Sequence, residues 1–468
     1  MISIIRQVTC TFIICTICVN FSLMFAWPST TLKLFASTNT TLNRPMTETE
    51  LALFGSLPSV TALIGTPVSG FLLDYLGRKY STIIFSLPQV LAWTLVIINR
   101  NVETILAAMC ISGLGGCLFN LTPVFISEIC HENIRGTMTA CSIIFYGIGI
   151  LLSYVLGAYL SFEAMNYACL TLSVAGILLL TLVKESPTYL MQKGLEKEAA
   201  SAIAFYRGTK PDSKEVLEEL AIIKKTLNPE IDDEESPENE KLKDTVKSPE
   251  KLGLIQFIKK SKSSQIGLFI VLALYTFSIF QGLVVAQVYA EPLFQEAMPT
   301  ISATISSVAF AVINTVVGFV AAYLTDLTGR RPLMIYSSLV TGISCVLLGS
   351  QIHLHWGPHW LTGVFLYAFC IFYTSGAGTV PYVIVAEFFL PEVRSVFTMV
   401  AVEWAWICNF IILFIFNPLV EAIGLGCVFY LFGAICFASA VFAIVYMPET
   451  KGLTVDVIQT LLVRKKYY

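Results

Sequence analysis

Charge is scarce in this chain. Only 13% of its 468 residues are Asp, Glu, Lys or Arg, where a soluble protein carries roughly 25%. With 56% hydrophobic residues, the chain lacks the polar surface that would hold it in water, which excludes a soluble fold. The charges nearly cancel, to a formal −3, so nothing resembles the basic face a nucleic-acid partner would need. Histidine is also rare, and three of the four, His353, His355 and His359, crowd into IHLHWGPH. That pattern reads as a solvated turn rather than a metal site. Cysteine is present but uncommitted. Cys10, Cys15, Cys18, Cys345 and Cys436 lie inside apolar runs, and no C-x-x-C pair sits on a polar loop. Neither a disulfide framework nor a zinc site is expected; such cysteines serve as small hydrophobes. No nucleophile–base pair, phosphate loop or zinc motif stands out, so the chain is expected to be no enzyme and to need no cofactor.

What remains is apolar runs. A spanning helix needs about 20 apolar residues, and by that measure twelve spans are expected, at 8–30, 51–73, 80–98, 104–127, 137–160, 165–183, 264–289, 300–324, 333–351, 360–386, 396–419 and 424–446. The first run is too long for a signal-peptide core and lacks a clear cleavage site, so it reads as a span. The fold class is therefore an all-α membrane protein, its partner the lipid bilayer. The expected organisation is a six-helix half over 1–183, a loop segment over 184–263, a second six-helix half over 264–446 and a tail over 447–468.

The two halves carry the same charged marks. GFLLDYLGRK holds Asp74, Gly77, Arg78 and Lys79, and TDLTGRR holds Asp326, Gly329, Arg330 and Arg331. Glu128 precedes Arg135 as Glu387 precedes Arg394, and Glu185 in KESPTYL is matched by Glu449 in MPETKGLT. Three marks repeated in register mean an internal duplication, the signature of a transporter built from two related halves. At the wet edge of a membrane such acids and bases can pair across helices and latch one side shut. Each exposed pair is worth roughly 0–1 kcal/mol, weak enough to be remade every cycle. The gating set is thus Asp74, Arg78, Glu128, Arg135, Glu185, Asp326, Arg330, Glu387, Arg394 and Glu449. The plainer alternative is that they only set topology.

Lysine and arginine fix the orientation. With both termini cytoplasmic, only Lys33, Arg44 and Arg100 of the 29 basic residues fall in outer loops. The sequon at Asn39 then lies outside and marks a glycosylation site, whereas those at Asn20 and Asn120 lie in apolar runs. In the middle segment, Leu190, Leu195, Ala199, Ile203 and Phe205 recur at helical spacing, predicting short amphipathic helices under the bundle. Residues 228–250 have almost nothing apolar to bury and read as a disordered acidic linker.

Together GFLLDYLGRK, EICHENIRG, ESPTYL, TDLTGRR, VPYVIVAEFFLPEVR and PETKGLT resemble the sugar porter family of the major facilitator superfamily, over nearly the whole chain. With AWPSTTLKLF, the chain is similar to its insect branch of trehalose transporter-like proteins. The resemblance implies alternating access around a midplane site, with a hexose or disaccharide moving down its gradient through a monomer of the plasma membrane. Carried over by position, Asn314, Gln281, Trp406 and Asn409 would line that site, Tyr382 would stand at the tryptophan after the tenth-helix proline, and Gly376, Gly378 and Pro381 would break the tenth helix. The chain departs from the pattern at Ala108, Ile143, Ser278, Ile279, Val284 and Thr188, where the family has arginines or amides. Tyr146, Tyr154, Tyr289 and Tyr373 are further aromatic candidates, for stacking on a sugar or for packing. Glu403 is an acid about two turns inside the eleventh span. An intramembrane acid marks function by default, and a proton-coupled carrier or one for a non-sugar solute is the alternative it opens. A sensor that binds but barely transports is the other.

Overall fold

The computed structural model describes residues 2–227, 261–299, 301–389, 391–453 and 455–464. Among them, twelve helices are long and apolar enough to cross a membrane: Ser3–Ala36, Glu48–Leu76, Arg78–Ile98, Val102–Ile129, Glu132–Tyr159, Phe162–Thr181, Lys262–Phe280, Ala303–Thr325, Arg330–Leu354, His359–Val385, Val396–Ile423 and Leu425–Tyr446. They are called spans one to twelve. Span one is longer at both ends than its apolar run, because Lys33 and Arg6 extend the helix without interrupting its backbone ladder. The acidic linker expected over 228–250 lies outside the described residues.

Local chemistry sets the ends of the spans. Thr47 and Glu50 exchange side-chain and backbone hydrogen bonds in a capping box that opens span two. Ser161 caps span six and Ser261 span seven. Gly77 and Gly329 take φ +94° and +95°, so spans two and three, and again eight and nine, fold back with a single residue between helices.

The packing repeats as the charged marks do. Span three packs on six as nine packs on twelve, and one on five as seven on eleven. Small residues let these helices approach: a Cβ on Gly349 would lie 2.7 Å from the Gly426 carbonyl. The halves meet through spans two and eleven, five and eight, and span one against the helices Leu283–Val288 and Ala290–Ala297 that follow span seven. Phe21, Ala62 and Tyr154 of the first half share one core with Tyr289, Trp406 and Phe416 of the second.

Between the halves, helices Pro187–Gln192, Glu196–Arg207 and Lys214–Leu227 follow span six. Leu190, Ala199 and Ile203 are buried as their spacing predicts, whereas Leu195 is exposed just before its helix begins. Arg207 pins this segment to the bundle: it pairs with Glu219 at 2.5 Å and donates to the Ile129 carbonyl at 2.9 Å.

Candidate functional site

Two polar constellations are built on this frame, one at the bundle face that carries Gly77 and Gly329 and one at mid-depth. At the charged face, Arg78 Nε lies 2.8 Å from Glu128, and its guanidinium also donates to the Leu73 carbonyl at 3.2 Å. The backbone N–H groups of Arg78 and Lys79 donate to Glu185 at 2.9 and 3.0 Å. The Ser186 hydroxyl donates to Glu128. The second half repeats this almost atom for atom. Arg330 pairs with Glu387 at 2.8 Å and donates to the Thr325 carbonyl at 3.1 Å. The N–H groups of Arg330 and Arg331 donate to Glu449 at 3.0 and 3.1 Å, and the Thr450 hydroxyl donates to Glu387.

The conserved geometry explains the repeated glycine. A Cβ on Gly77 would sit 2.5 Å from a Glu185 oxygen, and one on Gly329 would sit 2.7 Å from a Glu449 oxygen. Only glycine combines positive φ with that approach. Burial pushes the Glu185 carboxyl up from its ordinary value, and the N–H groups of Ser186, Lys79 and Arg78 pull against it.

These pairings run between helices of the same half. Each cluster braces span ends together within its own half. Asp74 and Arg135 are exposed and form no ion pair among the described residues. Arg78 turns away from Asp74 because Glu128 and the Leu73 carbonyl satisfy it more closely. The side chains of Asp326 and Arg394 lie outside what is described.

At mid-depth, three helices are broken. Span seven ends at Phe280, and the chain resumes as Leu283–Val288 after Gly282, whose φ is +97°. A Cβ there would meet the Phe432 ring at 2.5 Å. Span ten loosens into a π-turn over Tyr373–Ala377 before Val380–Phe388, with Pro381 at the restart, as Gly376, Gly378 and Pro381 predict. Span four tightens into a 3-10 turn over Leu114–Cys117. That third break is not part of the sequence expectation, although Gly113, Gly115 and Gly116 in ISGLGGC signal it.

Around these breaks lie polar atoms without partners. Gln281 is fully buried at the end of span seven, and both its amide atoms lack a hydrogen bond. Trp406 Nε1, Asn409 Oδ1 and the Tyr275 hydroxyl are likewise buried and unpartnered. Each unanswered polar group costs about 1–3 kcal/mol, so each calls for a partner. Trp406 reaches the other half: its ring stands edge-on to Phe21 at 6.4 Å and over Gly116. Asn314 is half committed, its oxygen accepting from the Thr374 hydroxyl at 2.7 Å. Tyr382 is 53% exposed although it lies within a span. Its ring packs on Tyr275 at 5.0 Å.

The departures from the family pattern are filled by packing. Ser278 shares a 3.0 Å hydrogen bond with the Tyr373 hydroxyl, tying span seven to the π-turn of span ten. Ile279 and Val284 join the shared core, Ala108 is buried beside Trp93 and Met109, and Thr188 lies in the helix Pro187–Gln192. Ile143 is exposed. Of the other tyrosines, Tyr154 donates to the Gln287 carbonyl across the halves. Tyr289, a packing residue, wedges between spans two and eleven: it covers Gly55, donates to the Leu413 carbonyl at 3.1 Å and stacks on Phe416. Asn39 is exposed in the loop after span one. Among the described residues no cluster of His, Cys, Asp or Glu could hold a metal, and His355 instead sits 6.4 Å from the His359 ring.

A family model described as sugar (and other) transporter matches residues 14–462. The chain belongs to that family. The facilitated trehalose transporter of Culex quinquefasciatus is 27% identical over 414 residues, covering 86% of this chain and 76% of the mosquito protein. That of Polypedilum vanderplanki is 27% identical over 443 residues, covering 93% and 84%. That of Drosophila mojavensis is 26% identical over 444 residues, where the chain spans about half of the relative's length. Among solved structures, the inward open form of the xylose transporter XylE from E. coli superposes with a TM-score of 0.79 at 20% identity, covering 97% of this chain and 99% of that one. The same transporter bound to 6-bromo-6-deoxy-D-glucose gives 0.70. The fold is therefore the two-halved, twelve-helix bundle of these sugar transporters.

Proposed function

We propose that this transporter carries a small sugar, a hexose or a disaccharide such as trehalose, by facilitated diffusion through alternating access. The observation that carries the reading is the buried, unpartnered amide of Gln281 at the break in span seven. A sugar presents many hydroxyls, and Gln281, Asn409, Trp406, Tyr275 and the free NH2 of Asn314 are the donors and acceptors to meet them, with Tyr382 as an aromatic wall. The disaccharide is favoured by the trehalose transporters among its relatives. Facilitated diffusion is favoured because span one contains no Asp or Glu.

The Lys and Arg distribution puts the charged face in the cytoplasm, both termini with it, and Asn39 outside as a glycosylation site of a plasma-membrane protein. The halves then touch on the outer side, where Glu291 N–H donates to Ser29 at 3.1 Å and Tyr289 covers Gly55. A cleft of about 230 Å3 on that side is lined by Glu48, Tyr289, Glu296, Phe416 and Glu421. On the cytoplasmic side Gly70, Gly136 and Gly318 have nothing within 4 Å of where a side chain would begin, which fits an inward-facing arrangement. Asp74 and Arg135 are the charges left free to pair across the mouth when it closes.

Tracer uptake of trehalose, glucose and a polyol into cells expressing the chain tests this. Saturable uptake of one of the sugars is expected. No uptake of any of them, from protein shown to reach the surface, overturns the sugar reading.

A further inference from the structure

Spans two and eleven run antiparallel along the junction of the halves, and their contacts can be followed turn by turn toward the charged face. Leu413 lies beside Tyr289 over Gly55, Trp406 lies against Ala62 through Gly116, and Glu403 faces the Thr66 hydroxyl. One turn further on, Gly70 has no neighbour within 4 Å, and Val68, Phe71 and Asp74 are exposed. Glu403 therefore stands near the rim, where span two begins to open to the exterior. One carboxyl oxygen is buried without a hydrogen-bond partner, and the side chain as a whole is partly exposed.

Among the described residues its surroundings hold no counter-charge. Thr66 spends its proton on the Ala62 carbonyl at 2.9 Å. The titratable groups on the neighbouring helices, besides Lys262, are Glu48, Glu50, Asp74 and Tyr75 of span two, Tyr275 of span seven, His359, Tyr367, Cys370, Tyr373 and Tyr382 of span ten with Glu387 just past its end, and Cys427, Tyr430, Cys436 and Tyr446 of span twelve. Glu387 is held by Arg330. Lys262, the cation of span seven, is exposed at its charged-face end, more than three turns from the Thr276 level that Trp404 contacts. No described Lys, Arg or His pairs with Glu403.

We propose that Glu403 is a proton-binding site that sets the closure of the charged-face mouth, exchanging its proton with that side. Closing the mouth swings span two below Thr66 against span eleven and seals the carboxyl in. A sealed carboxylate without a cation carries a penalty of several kcal/mol, so closure takes up a proton and opening releases it. Sugar movement then stays downhill, since the proton enters and leaves on one side, but the carrier resets faster in acid. The role of this closure in transport rests on the carrier reading above; the proton linkage itself does not.

The test is the distance between spin labels at Gln192 and Lys451, exposed positions on the charged face of each half, introduced as unnatural amino acids in the full chain in lipid nanodiscs. Closure is most populated in acid, and the closed-to-open ratio falls as pH rises, by up to about tenfold per pH unit within the titrating window. Glu403→Gln mimics the protonated form and holds the ratio at its acid value at every pH, while Glu403→Asp keeps a pH response. A wild-type ratio indifferent to pH, or an unchanged pH response in Glu403→Gln, overturns the proposal. Because the labels need no sugar, pH-dependent closure in a protein that takes up no sugar keeps this site and sinks the sugar reading. Sugar uptake with pH-indifferent labels does the reverse.

Discussion

The charged face and the mid-depth region use the same kinds of polar group in opposite ways. At the charged face every carboxylate of the paired clusters is answered, Glu128 by Arg78 and Ser186, Glu185 by two backbone N–H groups, and Glu387 and Glu449 in the same pattern. At mid-depth Gln281, Trp406 and Asn409 are buried with atoms left unanswered. A satisfied network rigidifies; an unsatisfied one costs stability and is kept for a ligand. Each half is thus braced within itself at the charged face, while the groups proposed above to meet the solute are left unanswered. The comparison breaks if bracing residues can be removed without loss of stability, or if mid-depth residues turn out to stabilise.

The largest effect is expected from Gly329→Val. Positive φ costs a β-branched residue about 1–3 kcal/mol, and the new Cβ displaces the Glu449 carboxylate that ties the tail to span nine. Loss of most of the folded protein by size-exclusion profile is the expected outcome, with Gly77→Val giving the same. Next is Arg78→Ala, which leaves the mostly buried Glu128 without its ion-pair partner, with only the Ser186 hydroxyl, and removes the donor to the Leu73 carbonyl. Breaking a buried pair costs about 3–5 kcal/mol, so a fall of several degrees in the melting temperature is expected in detergent. An unchanged melting temperature would return these clusters to the exposed, easily remade pairs that the sequence suggests.

Gln281→Leu should do the opposite. It removes two unanswered polar atoms, whose penalty is about 1–3 kcal/mol each, so the melting temperature holds or rises. Saturable sugar uptake should fall more than about tenfold if one or two hydrogen bonds to the solute are lost. A destabilised Gln281→Leu with normal uptake would make Gln281 a packing residue and leave the mid-depth site without its anchor.

The fold was legible because its signals are local and repeated. Apolar runs gave twelve spans, and Asp74–Arg78 against Asp326–Arg330 gave the duplication. Which charges pair was not legible. Asp74 is four residues from Arg78, and Glu128 is fifty, so sequence proximity favours the partner that the backbone geometry at Gly77 does not. The mid-depth residues were reached through the family resemblance alone. Nothing in the spacing of Gln281, Asn409 and Trp406 says that three helices break beside them. Tyr289 shows the limit most plainly: a tyrosine in an apolar run carries no mark of the Gly55 surface it covers.

The smallest effect on stability, and the sharpest separation of bracing from gating, is expected from Asp74→Asn. The side chain is exposed and takes no part in an ion pair among the described residues, and surface changes of this kind stay within about 0.5 kcal/mol. If Asp74 pairs across the mouth only when it closes, the substitution acts on the moving step. The unloaded carrier must close that mouth to return, so net uptake slows, while exchange of sugar for sugar, measured with tracer on one side and unlabelled sugar on the other, depends on the loaded carrier. Net uptake reduced more than exchange, at an unchanged melting temperature, is the expected pattern. Equal rates in both assays would leave Asp74 as a residue that sets topology, and the charged face would then brace the halves without helping to close them.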